Sequence, residues 1–200
     1  EIVDAYTRVF QMAGLSLQFL DVDVFGITNL IEQIYNPRDI SVVAVDIGAF
    51  ITNIAIMKDD TLEFTREVLV GGSQLTHQIM KLTGCSHREA EEAKKTGSED
   101  IGALCDTFVS NISAEINKTV NFYASTRPME RIGKIFLTGG SSRIKGLSDS
   151  VEANTGIEVE FLNPFLFLND SPDGGMEKRD LEEVIAVALY LSSRIVDMSL

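Results

Sequence analysis

Asp46 stands where the apolar run VVAVDI meets a glycine turn, and Thr52 opens the apolar run that follows. A phosphate cradle can be built from such parts. Gly48 lets a ligand approach the backbone closely, turn N–H groups supply donors, and the Thr52 hydroxyl adds another. The Asp46 carboxylate could hold Mg²⁺ through water, because that ion keeps several of its own waters. The same residues also describe an ordinary hairpin with a polar end.

A second glycine turn lies in FLTGGSSRIKGL, residues 136–147. Gly139 and Gly140 allow close approach of a flat ring or a phosphate, and Ser141 offers a hydroxyl. The Arg143 guanidinium can stack on a base or pair with an acid. A strand-to-helix turn with a serine N-cap would read the same way. In REAEEAKKT, Glu91 and Lys94 share one helical face; such a pair is ordinarily a solvated contact worth a few tenths of a kcal/mol. If that face overhung the second glycine turn, the pair could instead bond ribose hydroxyls and purine edge atoms. Asp23, in LDVDVFG, reads as a strand-end acid able to orient an attacking water, or with Asp21 as an exposed strand face. His77 and His87 have no ligating neighbours and read as surface residues, and Cys85 and Cys105 as separate reduced thiols.

These groups need elements to hold them. The 200 residues are 44% hydrophobic, enough to bury a core in one domain, or one domain with an inserted subdomain. The net charge of -13 disfavours nucleic acid and anionic membrane surfaces as partners, so a bound phosphate would need backbone donors or a metal. No apolar run reaches the ~18 to 20 residues that cross a bilayer, and no basic-then-apolar leader opens the chain. The expectation is a soluble protein without direct membrane insertion.

Periodicity predicts a helix over residues 2–13, stopped by Gly14, then a strand in LQFLDVDVF and a helix in GITNLIEQIY closed by Pro37. Three strands joined by short turns follow, VVAVDI, TNIAIMK and TLEFTREVLV, ending at Gly71 and Gly72. SQLTHQIMKLT and SHREAEEAKKT read as helices, as does a long segment over residues 101–123 with Leu104, Phe108, Ile112, Ile116, Val120 and Tyr123 on one stripe. Pro128 and Gly133 break it. The strand KIFLT, a helix near residues 147–155, the strand IEVEFL, an exposed loop over 169–179 and a last helix over 180–196 complete the chain.

The series of acid, DxGxxxT turn in a meander, GG after the third strand, helical insertion with ExxK and strand-GGSSR-helix resembles the second half of one superfamily. It holds actin, the sugar kinases and the seventy-kilodalton heat-shock chaperones. The resemblance implies an α/β, actin-like (ribonuclease H-like) ATPase fold: a mixed five-stranded sheet flanked by helices, with a helical/β inserted subdomain. It implies ATP and Mg²⁺ as cofactors and Asp23 and Asp46 as catalytic acids, with Asp46 also facing the metal. Gly48, Thr52, Gly71 and Gly72 would then belong to the phosphate side, and Gly139, Gly140, Ser141 and Arg143 to the adenosine loop. Glu91 and Lys94 would be purine and ribose contacts. Residues 41–72 with 134–200 would form the second large subdomain, 73–133 the insertion, and 1–40 a remnant of the first half.

Within the superfamily, DIGAFITNIAIM, TREVLVGGSQLTHQI, REAEEAKKTG, INKTVNFYAST and LTGGSSRIKGL are most similar to the PilM family of type IV pilus assembly proteins. That similarity implies a cytoplasmic ATP-binding scaffold, peripheral to the inner membrane. It would dock the cytoplasmic tail of a PilN-like membrane protein among other pilus platform proteins; self-association stays open. The division protein FtsA shares the core and the GG-x-x-x-T step, but FtsA-like chains end in a basic amphipathic helix, and this chain ends RIVDMSL. Ala49 and Phe50 replace residues that are often glycine, and Asn53 stands where an acid is common, which implies a weak ATPase at most or an adaptor without nucleotide. A kinase-like enzyme would need an acceptor base, and Asp23 is the one candidate. Only one DxG loop of this kind occurs, so the expectation is a piece whose opposing loop lies upstream and which does not itself turn over ATP.

Overall fold

The computed structural model describes residues 1–17 and 20–167. The expected loop over 169–179 and the helix over 180–196 lie outside the described residues.

β1 (Ser41–Ile47), β2 (Thr52–Lys58) and β3 (Thr61–Val68) form the expected antiparallel meander. β4 (Ile132–Thr138) and β5 (Glu158–Phe161) add in parallel on the other side of β1. The result is a mixed five-stranded sheet of order β3-β2-β1-β4-β5 with β1 at its centre. Gly133 lies inside β4 and does not precede it; Ile40 packs against its Cα so closely that a Cβ would come within 2.8 Å of the Ile40 side chain.

Alternation assigns each strand residue to one of two layers. Val43, Val45 and Ile47 of β1, with Ile54, Ile56, Ile135 and Leu137, face α3 (Gly72–Thr83), α4 (His87–Thr96), α5 (Gly102–Thr126) and α6 (Leu147–Thr155). Val42 and Ala44, with Ala55, Met57 and Phe136, face α2 (Asp23–Tyr35). The long helix α5 buries Phe108, Ile112, Ile116, Val120 and Tyr123 of its expected stripe, with Leu104 half-buried at the start. Helix α4 begins at a capping box, in which the Ser86 hydroxyl accepts from the Glu89 N–H and the Glu89 carboxylate from the Ser86 N–H.

The expected strand over residues 17–25 is corrected: no strand forms over 20–25, and Asp23 opens α2. Its carboxylate accepts the Val24 N–H at 2.8 Å, a favourable charge at a helix N-terminus. Ile27, Leu30 and Ile31 are buried at helical spacing, and this outweighs the short DVDV alternation. Helix α1 (Ile2–Met12) buries none of its residues; Ile2, Val3, Tyr6, Val9 and Met12 are all exposed.

Candidate functional site

Three glycine segments meet at the carboxyl ends of β1 and β4. The hairpin after β1 is closed by Gly48 N–H donating to Ile51 O at 2.9 Å. The start of α3 is tied to it, with Gly72 N–H donating to Gly48 O at 3.0 Å and Ser73 N–H to Ala49 O at 2.8 Å. The turn after β4 joins from the other side, where Ser141 N–H donates to Ile47 O at 3.0 Å. Gly71 lies against the Ala49 carbonyl and the Phe50 nitrogen. Close approach explains the residue type at three positions, and at Gly71 a Cβ would lie 2.5 Å from the Ala49 carbonyl oxygen. A Cβ on Gly72 would lie 2.0 Å from Ser141 Oγ. Gly139, at φ +88°, would place one 2.7 Å from both the N and the O of Ile47. Gly140, by contrast, faces open space.

The acids sit on the other layer. Asp46 points to the α2 side of β1, opposite Asn53 on β2, and the first turn of α2 brings Asp23 beside them. Asn53 donates to Asp23 Oδ2 at 3.2 Å. Burial first, and then the Asp23 carboxylate, push Asp46 up from its ordinary 3.8 to about 6, against a hydrogen bond from Asn53 that lowers it. Two carboxylates in mutual repulsion at the rim of a glycine junction suit a cation that keeps its own waters and shares a phosphate. Among the described residues no group of three or more His, Cys, Asp or Glu could enclose a metal, so a dedicated all-protein cage is not what these acids form.

Glu91 and Lys94 are joined to this junction through α3. Lys94 is buried and donates to Gly72 O at 3.2 Å, to Thr76 Oγ1 at 2.8 Å and to Glu91 Oε1 at 2.9 Å. Thr76 also bonds Glu91. The solvated-pair reading of ExxK is therefore corrected, because α4 folds back onto α3 and carries Lys94 into the interface. Burial pushes the Glu91 carboxyl up, but its bonds from Thr76 and Lys94 outweigh that and leave it lowered.

Beyond Lys94, an open cleft of about 420 Å³ runs between the end of α4, the start of α5 and the turn before α6, lined among others by Gly97, Ser98, Cys105, Asp106 and Lys145. Its size lies in the range of small-molecule sites, about 300 to 1,000 Å³. Sequence reasoning missed these residues; the available signal was the pair Gly97 and Gly102 bracketing a short turn after ExxK. Four further expected groups take definite places. The Thr52 hydroxyl, expected as a donor beside the turn, is instead buried and donates to Val70 O at 2.8 Å. Ser141 does not cap α6, which begins at Leu147 after Gly146. The Arg143 guanidinium stacks over the Phe161 ring at 4.6 Å. Phe50 is 74% exposed, so its ring leaves the hairpin for solvent. His77 and His87 are exposed, and both cysteines are free thiols.

The family model described as "Type IV pilus assembly protein PilM" matches residues 1–193. The chain superposes on a solved structure of the PilM-PilN type IV pilus biogenesis complex with a TM-score of 0.82 and 24% identity, covering 96% of this chain and 57% of that one. MreB 5 of Spiroplasma citri, solved bound to AMPPNP, superposes with a TM-score of 0.66 at 13% identity, over 98% of this chain and 66% of that one. The cell division protein FtsA of Enterococcus hirae is 23% identical over 188 residues, 82% of this chain and 42% of FtsA. The chain thus spans roughly half the length of the relatives it matches, 57% and 42%. These neighbours agree with the actin-like ATPase fold that the resemblance implied. With the family model covering nearly the whole chain, this protein belongs to the type IV pilus assembly protein PilM family.

Proposed function

We propose that this chain carries phosphate and nucleoside contacts of an ATP-binding, actin-like scaffold of the type IV pilus platform at the inner membrane. One observation supports this above the others: the Gly48 hairpin, the Gly72 helix start and the Gly139 turn bond to one another at the end of β1 that also presents Asp46. In this reading Asp46 and Asp23 hold Mg²⁺, which when bound supplies positive charge against phosphate oxygens. Asn53 orients Asp23, and the glycine junction gives the phosphates a surface without side chains. Glu91 and the cleft beside Lys94 receive the nucleoside, while Arg143 and Gly140 form its rim. Residues 41–72 and 134–167 act as the large subdomain and 73–133 as its helical insertion.

ATP then sets conformation and partner affinity more than it drives rapid turnover, and the partner is the cytoplasmic tail of a PilN-like membrane protein. A solved PilM-PilN complex of the same fold supports that choice of partner. The test is calorimetric titration of MgATP into the full-length protein and its Asp46→Ala variant, followed by titration of the tail peptide with and without MgATP. Saturable binding that Asp46→Ala weakens is expected. A wild-type protein that ignores MgATP but still binds the tail would replace this reading with that of a nucleotide-free adaptor.

A further inference from the structure

Thr76 is fully buried in α3, and its hydroxyl stands at the centre of the Glu91 and Lys94 pair. Lys94 Nζ has three protons and faces three acceptors, Gly72 O, Thr76 Oγ1 and Glu91 Oε1, so each proton is used. The Lys94 side chain is 9% exposed and that of Glu91 39%, so Glu91 is the member able to turn outward. Thr76 has a single proton and two acceptors within reach, Gly72 O at 2.9 Å and the Glu91 carboxylate. When Glu91 turns toward a ligand, that proton can go to Gly72 O, the backbone acceptor one helical turn back. No buried hydroxyl is orphaned by the change. Lys94 keeps Gly72 and Thr76, and its third proton faces the cleft that it lines.

We propose that Thr76 is a positioning residue for nucleoside recognition: its hydroxyl aligns Glu91 and Lys94 and frees Glu91 for a ribose hydroxyl by redirecting its one proton to Gly72. This rests on the nucleotide-site reading above. Removing the hydroxyl leaves a buried ammonium proton without its acceptor and Glu91 with Lys94 but without its Thr76 donor, while the Gly72 N–H keeps its bond to Gly48 O on the phosphate side of the proposed site.

The test titrates MgATP and magnesium tripolyphosphate separately into full-length wild type, Thr76→Val, Thr76→Ser and Glu91→Ala. Thr76→Val should weaken MgATP about tenfold, the scale of one lost bond to a charged group. It should leave tripolyphosphate unchanged, and Thr76→Ser should restore MgATP. Thr76→Val binding MgATP as wild type does would overturn the proposal, as would equal losses for both probes without rescue by serine. If Thr76→Val does not fold, Thr76→Ala takes its place: loss of MgATP alone, in the direction set by Glu91→Ala, supports the proposal, and unchanged MgATP binding overturns it. Wild type binding neither probe refutes the nucleotide reading itself, a result distinct from wild type binding MgATP with Thr76→Val unaffected.

Discussion

The two adjacent glycines of LTGGSSR should respond very differently to the same added methyl. At Gly139 the backbone is left-handed, at φ +88°, where an L side chain costs about 1 to 2 kcal/mol. A Cβ there would also lie 2.3 Å from Asp46 Oδ1 and 2.7 Å from Ile47 N and O. Two of those three atoms are backbone of the central strand, so no rotamer change relieves the overlap; the added strain of overpacking is about 1 to 3 kcal/mol. Gly139→Ala should therefore lose about 2 to 5 kcal/mol in urea unfolding, with a fall in Tm on the order of 10 °C for a chain of this size. Gly140→Ala meets nothing within 4 Å and should stay within about 0.5 kcal/mol of wild type. The pair is its own control for changes in the unfolded chain, since both substitutions stiffen it alike. Equal effects at the two positions would refute the claim that Gly139 is the residue pressed against β1.

Asp46 gives a pH signature in metal-free protein. Below about pH 3.8 both states are protonated; between there and about 6 the unfolded chain loses its proton first, so stability falls as pH rises, and above 6 the full effect remains. At 1.36 kcal/mol per pH unit that effect is about 3 kcal/mol, so Asp46→Asn should be more stable than wild type at pH 7 and lose that advantage by pH 3.8. A stability difference that does not change across this window would contradict the buried, Asp23-facing carboxylate. Cys105 lines the cleft beside Lys94, whereas Cys85 lies on the connection between α3 and α4. MgATP at ten times its Kd should slow alkylation of Cys105 about tenfold by mass action and leave Cys85 at its own rate, as read by peptide mass spectrometry. Equal rates at both thiols with and without ligand would remove the cleft from the nucleoside site.

Much of the frame was legible because it depends on local pattern. VVAVDI and TNIAIMK bury residues on both faces of a central pair, the aspartate turn between β2 and β3 places Asp59 at φ 52°, and Ser86 and Glu89 announce the start of α4. The failures share another cause. DVDV alternates as a strand does, yet its role was fixed by what Ile27, Leu30 and Ile31 pack against, which no local window contains. Lys94 reads as solvated until α4 folds onto α3 and brings it to a carbonyl 22 residues away. The Thr52 hydroxyl is spent on Val70, which reaches it only after β3 has turned back beside β2. Ser98 and Cys105 belong to a cleft that exists because two helices and a turn leave space between them.

The end of β1 divides its two last residues between the layers of the fold. Ile47 sends its side chain under the helices and its carbonyl to Ser141, whereas Asp46 sends its carboxylate toward α2. The acids are therefore carried by one packing layer and the Gly72 contacts by the other, and the two meet where Asp46 Oδ1 lies against the backbone of Gly139. A substitution in the first turn of α2 reaches this junction through Asp23 and Asn53, whereas one at the start of α3 reaches it through the Gly48 carbonyl.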